Sequence, residues 1–229
     1  MKNAIVTGAS SGIGLALSER LLALGLSVVG VSRNIDKTLI NHENFKALQC
    51  DLSDEKQTLK LAQELKKEDI FILINCAGFG KFAPHEELNF KTISQMTFLN
   101  LTAPMLLTNA TLRSLKKNGG YLININSIEA LRASKFAGVY SATKAGLKAF
   151  SDSLFEETRK SDLSITSINP DMTQSGFYDE LHFDVTENEK EKLLATDIAD
   201  ALEHILTMRK GAVVTDYTIR SLNFGIKKK

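Results

Sequence analysis

Short apolar runs such as IFILIN (residues 70–75) and YLININ (121–126) recur along this chain, separated by longer stretches with helical spacing. A strand that is apolar at consecutive positions needs cover on both faces, which a parallel sheet between two helix layers provides. Strands are expected at Asn3–Thr7, Ser27–Ser32, Phe45–Gln49, Ile70–Asn75, Tyr121–Ser127, Ser164–Asn169 and Ala212–Tyr217. Helices are expected near Ile13–Leu24, Asp54–Lys67, Asn89–Lys117, Gly138–Lys160 and Thr196–Met208. This alternation predicts right-handed βαβ crossovers and an α/β fold, a doubly wound, mostly parallel sheet of about seven strands with helices on both faces.

The 229 residues suffice for one domain, 1–229, and neither a repeat nor a linker divides them. A net charge of +1 gives no electrostatic reason to expect nucleic acid or an anionic membrane as partner. No apolar run reaches about 18 residues, so no membrane-spanning helix is expected. Strand-forming sequence begins at Asn3, which leaves no room for a signal peptide. Cys50 and Cys76 lack the spacing of metal ligands, so no metal site is expected and both read as reduced thiols of a cytoplasmic protein. Residues 170–191 mix Phe177, Tyr178, Leu181 and Phe183 with acids and turn formers, the composition of a mobile lid. The Lys227–Lys229 tail reads as a solvated end.

TGASSGIG (residues 7–14) follows the first strand and opens the first helix. In that context Gly8 permits a sharp turn, Gly12 lets backbone approach a pyrophosphate, and Gly14 allows close helix–sheet packing. The helix start supplies free N–H groups and a positive dipole end, with Ser10 and Ser11 as further donors. At the end of the second strand stand Ser32 and Arg33, where a cofactor lacking the extra phosphate would call for an acid. A guanidinium binds a 2′-phosphate bidentately and a carboxylate repels it, so NADP(H) is favoured over NAD(H).

YSATK (residues 140–144) places Tyr140 and Lys144 one helical turn apart on one face. A free phenol titrates near pH 10 and is a poor base at neutrality. The Lys144 charge, and that of an oxidised nicotinamide, would favour phenolate and lower that value. A shift of about three units corresponds to ~4 kcal/mol of electrostatic work. Tyr140 would then hand a proton to a carbonyl oxygen that receives hydride at its carbon, with Ser127 hydrogen-bonding the same oxygen.

With these motifs in order, the chain resembles the short-chain dehydrogenase/reductase superfamily in its compact single-domain form, from about residue 3 to residue 217. TGASSGIG, Asp51 in CDLSD, NCAG at residues 75–78, Asn100 in FLNLTAP, Ser127 and YSATK carry the resemblance. It implies a Rossmann fold and a catalytic set of Asn100, Ser127, Tyr140 and Lys144. It also implies cofactor contacts from the glycine turn with Ile13, from Arg33, from Asp51 and Leu52, from Asn75, Ala77 and Gly78, from Tyr140 and Lys144, and from Pro170 and Thr173. Lys144 would grip the nicotinamide ribose, and Asn100 would hold a water linking Lys144 to solvent. Three departures stand out: Cys76 for a common asparagine, Asp171 after Pro170 where glycine is usual, and a C-terminus without the customary double glycine. Aspartate tolerates the left-handed region, so the turn after Pro170 can survive with Asp171 in it.

Loops after the fourth, fifth and sixth strands place Phe79, Glu129, Leu131, Phe177 and Tyr178 toward a substrate. The set is mostly apolar and suits a small-molecule ketone or aldehyde of modest polarity. Glu129 could bind a substrate hydroxyl or amine, or cap a neighbouring backbone group. The YSATK helix carries a small-residue stripe (Ala142, Ala145, Gly146, Ala149) and a bulky one (Leu147, Phe150, Leu154). A helix apolar on two sides needs two partners, which predicts a homodimer or homotetramer packed through this helix. The reading is an NADP(H)-dependent carbonyl/alcohol oxidoreductase, with a nicotinamide-nucleotide sensor of little turnover as the alternative.

Overall fold

The computed structural model describes residues 2–38 and 40–229. Seven parallel strands form one sheet: β1 (Asn3–Thr7), β2 (Ser27–Ser32), β3 (Phe45–Gln49), β4 (Ile72–Asn75), β5 (Tyr121–Ile125), β6 (Ser164–Pro170) and β8 (Asp216–Ile219), with β7 (Phe183–Asp184) outside it. Their order across the sheet is β3-β2-β1-β4-β5-β6-β8. The helices α1 (Gly12–Ala23), α2 (Glu55–Leu65), α3 (Phe90–Thr97), α4 (Ala103–Lys117), α5 (Gly138–Thr158) and α6 (Ala195–Thr207) cover its two faces. One core buries Leu17, Leu21, Ile72, Ile74, Ile123, Ile198 and Leu202 beneath α1 and α6. The other buries Ile5, Leu61, Leu73, Leu107, Leu122 and Leu154 beneath α2, α4 and α5. Alternate residues of each strand serve opposite cores, which is why the strands read as continuous apolar runs. Among the described residues no helix is long and apolar enough to cross a membrane.

The strand order reverses between β1 and β4, so the loops after β1 and β4 part at the carboxyl edge and leave a crevice there. One polar chain runs through the second core. Asn75 Nδ2 donates to Asn124 Oδ1 (2.8 Å), and Asn124 Nδ2 donates to Ser151 Oγ (2.8 Å) on α5. It ties β4, β5 and α5 together in one register.

Four expectations need correction. The single helix Asn89–Lys117 is α3 and α4 joined by a π-helical turn, Phe98–Thr102. Pro104 has no N–H for the carbonyl four residues back, that of Asn100, so the helix widens there and Ala103 N bonds to Phe98 O instead. The last parallel strand lies at Asp216–Ile219 rather than Ala212–Tyr217, because a left-handed Gly211 (φ +91°) turns the chain and ladder pairing starts only at Asp216. The tail is exposed but not a free end: Lys227–Lys228 form β9, antiparallel to β7 (Phe183–Asp184) in the lid. Asp171 is not left-handed, since Phe136 is the one described non-glycine residue with positive φ. Its N–H bonds to Ile219 O, and its carboxylate accepts from Arg220 Nε (3.2 Å), so the β6–β8 pairing carries the chain past Pro170 without a glycine.

Candidate active site

The glycine turn sits at the carboxyl end of β1, and its geometry leaves no room for side chains. Gly8 is left-handed (φ +71°), and a methyl group on it would meet Ala77 backbone at 3.1 Å. Gly12 (φ +54°) faces Ser175 in the same way, at 2.9 Å, and Gly14 packs directly on the Gly8 carbonyl. Thr7 Oγ1 accepts from the backbone N–H groups of Cys76 and Ala77 (2.9 and 3.0 Å), which locks the loop after β4 beside the turn. Ser11 extends the backbone into α1 without capping it by its side chain, so the first N–H groups of a twelve-residue helix face the crevice. Ser10 and Ser32 share a hydrogen bond of 2.8 Å, tying the turn to the end of β2, where Arg33 is exposed. A bare, N–H-lined concavity bordered by an exposed guanidinium fits the phosphates of a dinucleotide.

Tyr140 and Lys144 rise from the first turns of α5, on the face turned to β5. Lys144 Nζ donates to Ile125 O (2.8 Å) and lies 5.9 Å from the Tyr140 ring centre. Its side chain is only 5% exposed, and burial lowers its pKa from 10.5 to about 8. Ser127 Oγ accepts from Glu129 N (3.1 Å), which leaves its own proton to donate, and its proximity pulls the Tyr140 pKa down. Burial is the largest influence on Tyr140 and pushes the phenol upward, with Ser127 opposing. The expected lowering is therefore not seen in the protein alone: the Lys144 ammonium is engaged by Ile125 O, and desolvation of the phenol outweighs the pull of Ser127. Asn100, at the centre of the π turn, receives Phe79 N (3.1 Å) and donates to Phe79 O (2.8 Å) and Thr143 Oγ1 (3.3 Å). Its Oδ1 and Lys144 Nζ both flank Gly78.

The other sequence-derived positions separate into two groups. Gly8, Ser10, Ser11, Gly12, half-buried Ile13, Gly14, Ala77 and Gly78 line or border the crevice. Pro170 ends β6, and buried Thr173 bonds Asp171 O (2.9 Å) at the lid's root. Asn75 and Leu52 instead turn their side chains into the second core. Asp51 folds back on Ser53, accepting from its N–H and hydroxyl (2.9 and 2.7 Å). Glu129 is not free for a substrate, because its carboxylate accepts from Arg132 Nε (3.0 Å), Ser134 Oγ (2.8 Å) and Ser141 Oγ (3.1 Å). It clamps the loop after β5 onto α5. Leu131 is exposed, Phe79 half-buried, Phe177 packs on Tyr140, and Tyr178 packs on Phe177. Sequence reading missed Phe82, 5.3 Å from the Tyr140 ring, and the left-handed Phe136, whose carbonyl receives Ala83 N (3.1 Å) and fixes the Phe82 loop. No periodicity marks either one. Pro104, four residues after Asn100, was a readable sign of the π turn.

The short chain dehydrogenase family matches residues 2–186. The chain belongs to that family. It is an NAD(P)-dependent oxidoreductase of it. Uncharacterised oxidoreductases of Staphylococcus epidermidis and Staphylococcus aureus are 31% and 30% identical to it, each alignment covering 96% of both chains. Among solved structures, an alcohol dehydrogenase of the archaeon Thermococcus sibiricus, complexed with 5-hydroxy-NADP, superposes with a TM-score of 0.87 at 26% identity over 97% of each chain. A short-chain dehydrogenase of Sphingobium yanoikuyae in complex with NADPH gives 0.82 at 26% identity, over 94% of this chain and 87% of that one.

The depressed lysine makes a prediction. Between pH 8 and the ordinary lysine value the unfolded chain holds a proton that folded Lys144 has lost, so this group's contribution to stability rises with pH. Wild type should gain about 2 kcal/mol over Lys144→Met between pH 8 and pH 10. Urea unfolding of both proteins measures it, and the comparison cancels the buried thiols and phenols common to the two. A constant difference across that range would rule out the lowered value.

Proposed function

We propose that this oxidoreductase interconverts a carbonyl and an alcohol with NADP(H), and that Tyr140 is its general acid and base. The observation that carries the reading is the buried Tyr140–Lys144 pair on one face of α5, with half-buried Ser127 beside the phenol, at the carboxyl edge next to the glycine turn. The bound nicotinamide supplies or accepts the hydride. In reduction, Tyr140 delivers its proton to the carbonyl oxygen, and Ser127, which accepts from Glu129 N–H, donates to that oxygen as charge develops. In oxidation, phenolate at Tyr140 takes the alcohol proton, and the Lys144 ammonium favours that anion. Asn100 holds the Phe79 backbone on both sides, so the loop beside Lys144 keeps its shape through the proton transfer.

Arg33 supports the phosphate-bearing cofactor: it stands exposed at the end of β2, and the Ser10–Ser32 bond occupies the place where an acid would repel the phosphate. The two solved relatives at 26% identity, crystallised with 5-hydroxy-NADP and NADPH, point the same way. Both cysteines are free, in keeping with a cytoplasmic protein. Ala142, Ala145 and Ala149 are exposed along α5 while Leu147 and Leu154 are buried, so the small-residue stripe is the face for a two-fold partner.

NADPH oxidation followed across aldehydes, ketones, diketones, quinones and 3-oxoacyl thioesters tests the reaction. Tyr140→Phe should lower kcat by roughly 10²–10⁴-fold with NADPH binding retained; binding without turnover in either protein would favour a sensor. Arg33→Ala should weaken NADPH by roughly tenfold or more and leave NADH nearly unchanged. Equal losses for both cofactors would remove Arg33 from phosphate recognition. Sedimentation at micromolar protein should show a dimer or tetramer, and a monomer would refute the α5 interface.

A further inference from the structure

Five aromatic side chains close into a ring over the site. Phe82 meets Tyr140 (5.3 Å between centres), Tyr140 meets Phe177 (5.8 Å), and Phe177 meets Tyr178 (5.2 Å). Tyr178 meets Phe183 (5.9 Å), and Phe183 returns to Phe82 (5.2 Å). Gly80 is what permits the closure, since a methyl group there would strike Phe177 at 2.7 Å and Phe82 at 2.8 Å. With Tyr140 only 7% exposed, a substrate reaches the phenol only after this ring opens.

Two members sit on fixed supports: Tyr140 on α5 and Phe82 on the loop held by Phe136 O. Phe177, Tyr178 and Phe183 ride on the lid, so opening is a movement of the lid. Its outer edge is laced to residues 223–229. Phe183 and Asp184 pair with Lys228 and Lys227, Lys229 N bonds to His182 O (3.0 Å), and Asn223 N bonds to Lys190 O (2.7 Å). Lys229 Nζ donates to Tyr178 O (2.6 Å) and sits 3.2 Å from Asp184, while Lys227 Nζ reaches Glu187 (3.0 Å). The charged clasp thus holds the backbone of one ring member and the neighbour of another.

We propose that residues 227–229 latch the aromatic lid over Tyr140, and that the substrate carries a planar apolar group beside its carbonyl, which takes the place of the displaced lid rings. The second half rests on the carbonyl/alcohol reading above. A flat apolar group restores the edge and face contacts that opening breaks, which a small polar carbonyl compound cannot do. Apparent affinity falls by the fraction of protein in the open form, so the latch sets KM while the planar group sets selectivity.

Hydrogen exchange of the lid amides in wild type, in Lys229→Met and in a chain ending at Ile226 tests the latch without any substrate. Faster exchange across residues 176–184 in both variants is expected, and unchanged exchange overturns the latch whether or not the protein turns over. Kinetics with acetophenone and dihydroxyacetone test the substrate class. Wild type should prefer acetophenone, and Lys229→Met should lower the KM of both ketones roughly five- to tenfold with kcat little changed and the preference kept. Preference for dihydroxyacetone overturns the planar-group assignment. Absence of carbonyl turnover by wild type across the wider panel overturns the reaction and the substrate class together, and the exchange data still decide the latch.

Discussion

The seating of α5 on β5 is the contact on which the site depends. Asn124 reaches from the strand to Ser151, and Lys144 reaches back from the helix to Ile125 O. These two bonds, about two turns of helix apart, set both the height and the rotation of α5 against the sheet. Once they are made, Tyr140 has one place to be, above the end of β5 where the chain turns into Ser127. Apolar packing alone would leave α5 free to slide by a fraction of a turn, because leucine contacts are not directional. Buried amide and hydroxyl groups are, and leaving one unpaired costs about 1–3 kcal/mol.

The same economy of register governs the cofactor side. Thr7 takes two backbone N–H groups from the loop after β4, and Gly8 and Gly14 lie close enough to exclude any side chain between them. The turn is therefore rigid before a ligand arrives, and its donors need little reordering to meet phosphate. On the opposite rim the structure does the reverse. The lid is built from side-chain rings and a two-residue strand pair, contacts that can be exchanged for those of a ligand. A rigid cofactor floor and an exchangeable aromatic roof divide the two binding events between two kinds of interaction.

Legibility followed locality. The strands through β6, the glycine turn and the Tyr140/Lys144 pair are encoded in windows of a dozen residues or fewer, where period and turn chemistry suffice. Phe82, Phe177 and Phe183 come from two separate loops, and their meeting over Tyr140 leaves no mark in any window. Glu129 shows the limit most clearly. Its position after β5 was readable, but its role was decided by Arg132, Ser134 and Ser141, which convert a candidate substrate ligand into a loop clamp. Asn75 likewise belongs to a familiar motif yet points inward, because Asn124 stands opposite it in the β4–β5 register.

What this sequence determined by itself is the doubly wound sheet, the glycine turn and the spacing of Tyr140 and Lys144, since each follows from periodicity or from glycine's backbone freedom. Tertiary structure alone decided the protonation balance at the site, because burial is a property of the assembled fold: it lowers Lys144 to about 8 and raises Tyr140 against the pull of Ser127. It also decided the fate of the C-terminal lysines. Three consecutive charges read as a solvated end until the lid places a carbonyl, a carboxylate and an open strand edge beside them. Charge complementarity between segments some forty residues apart exists only after the chain has folded.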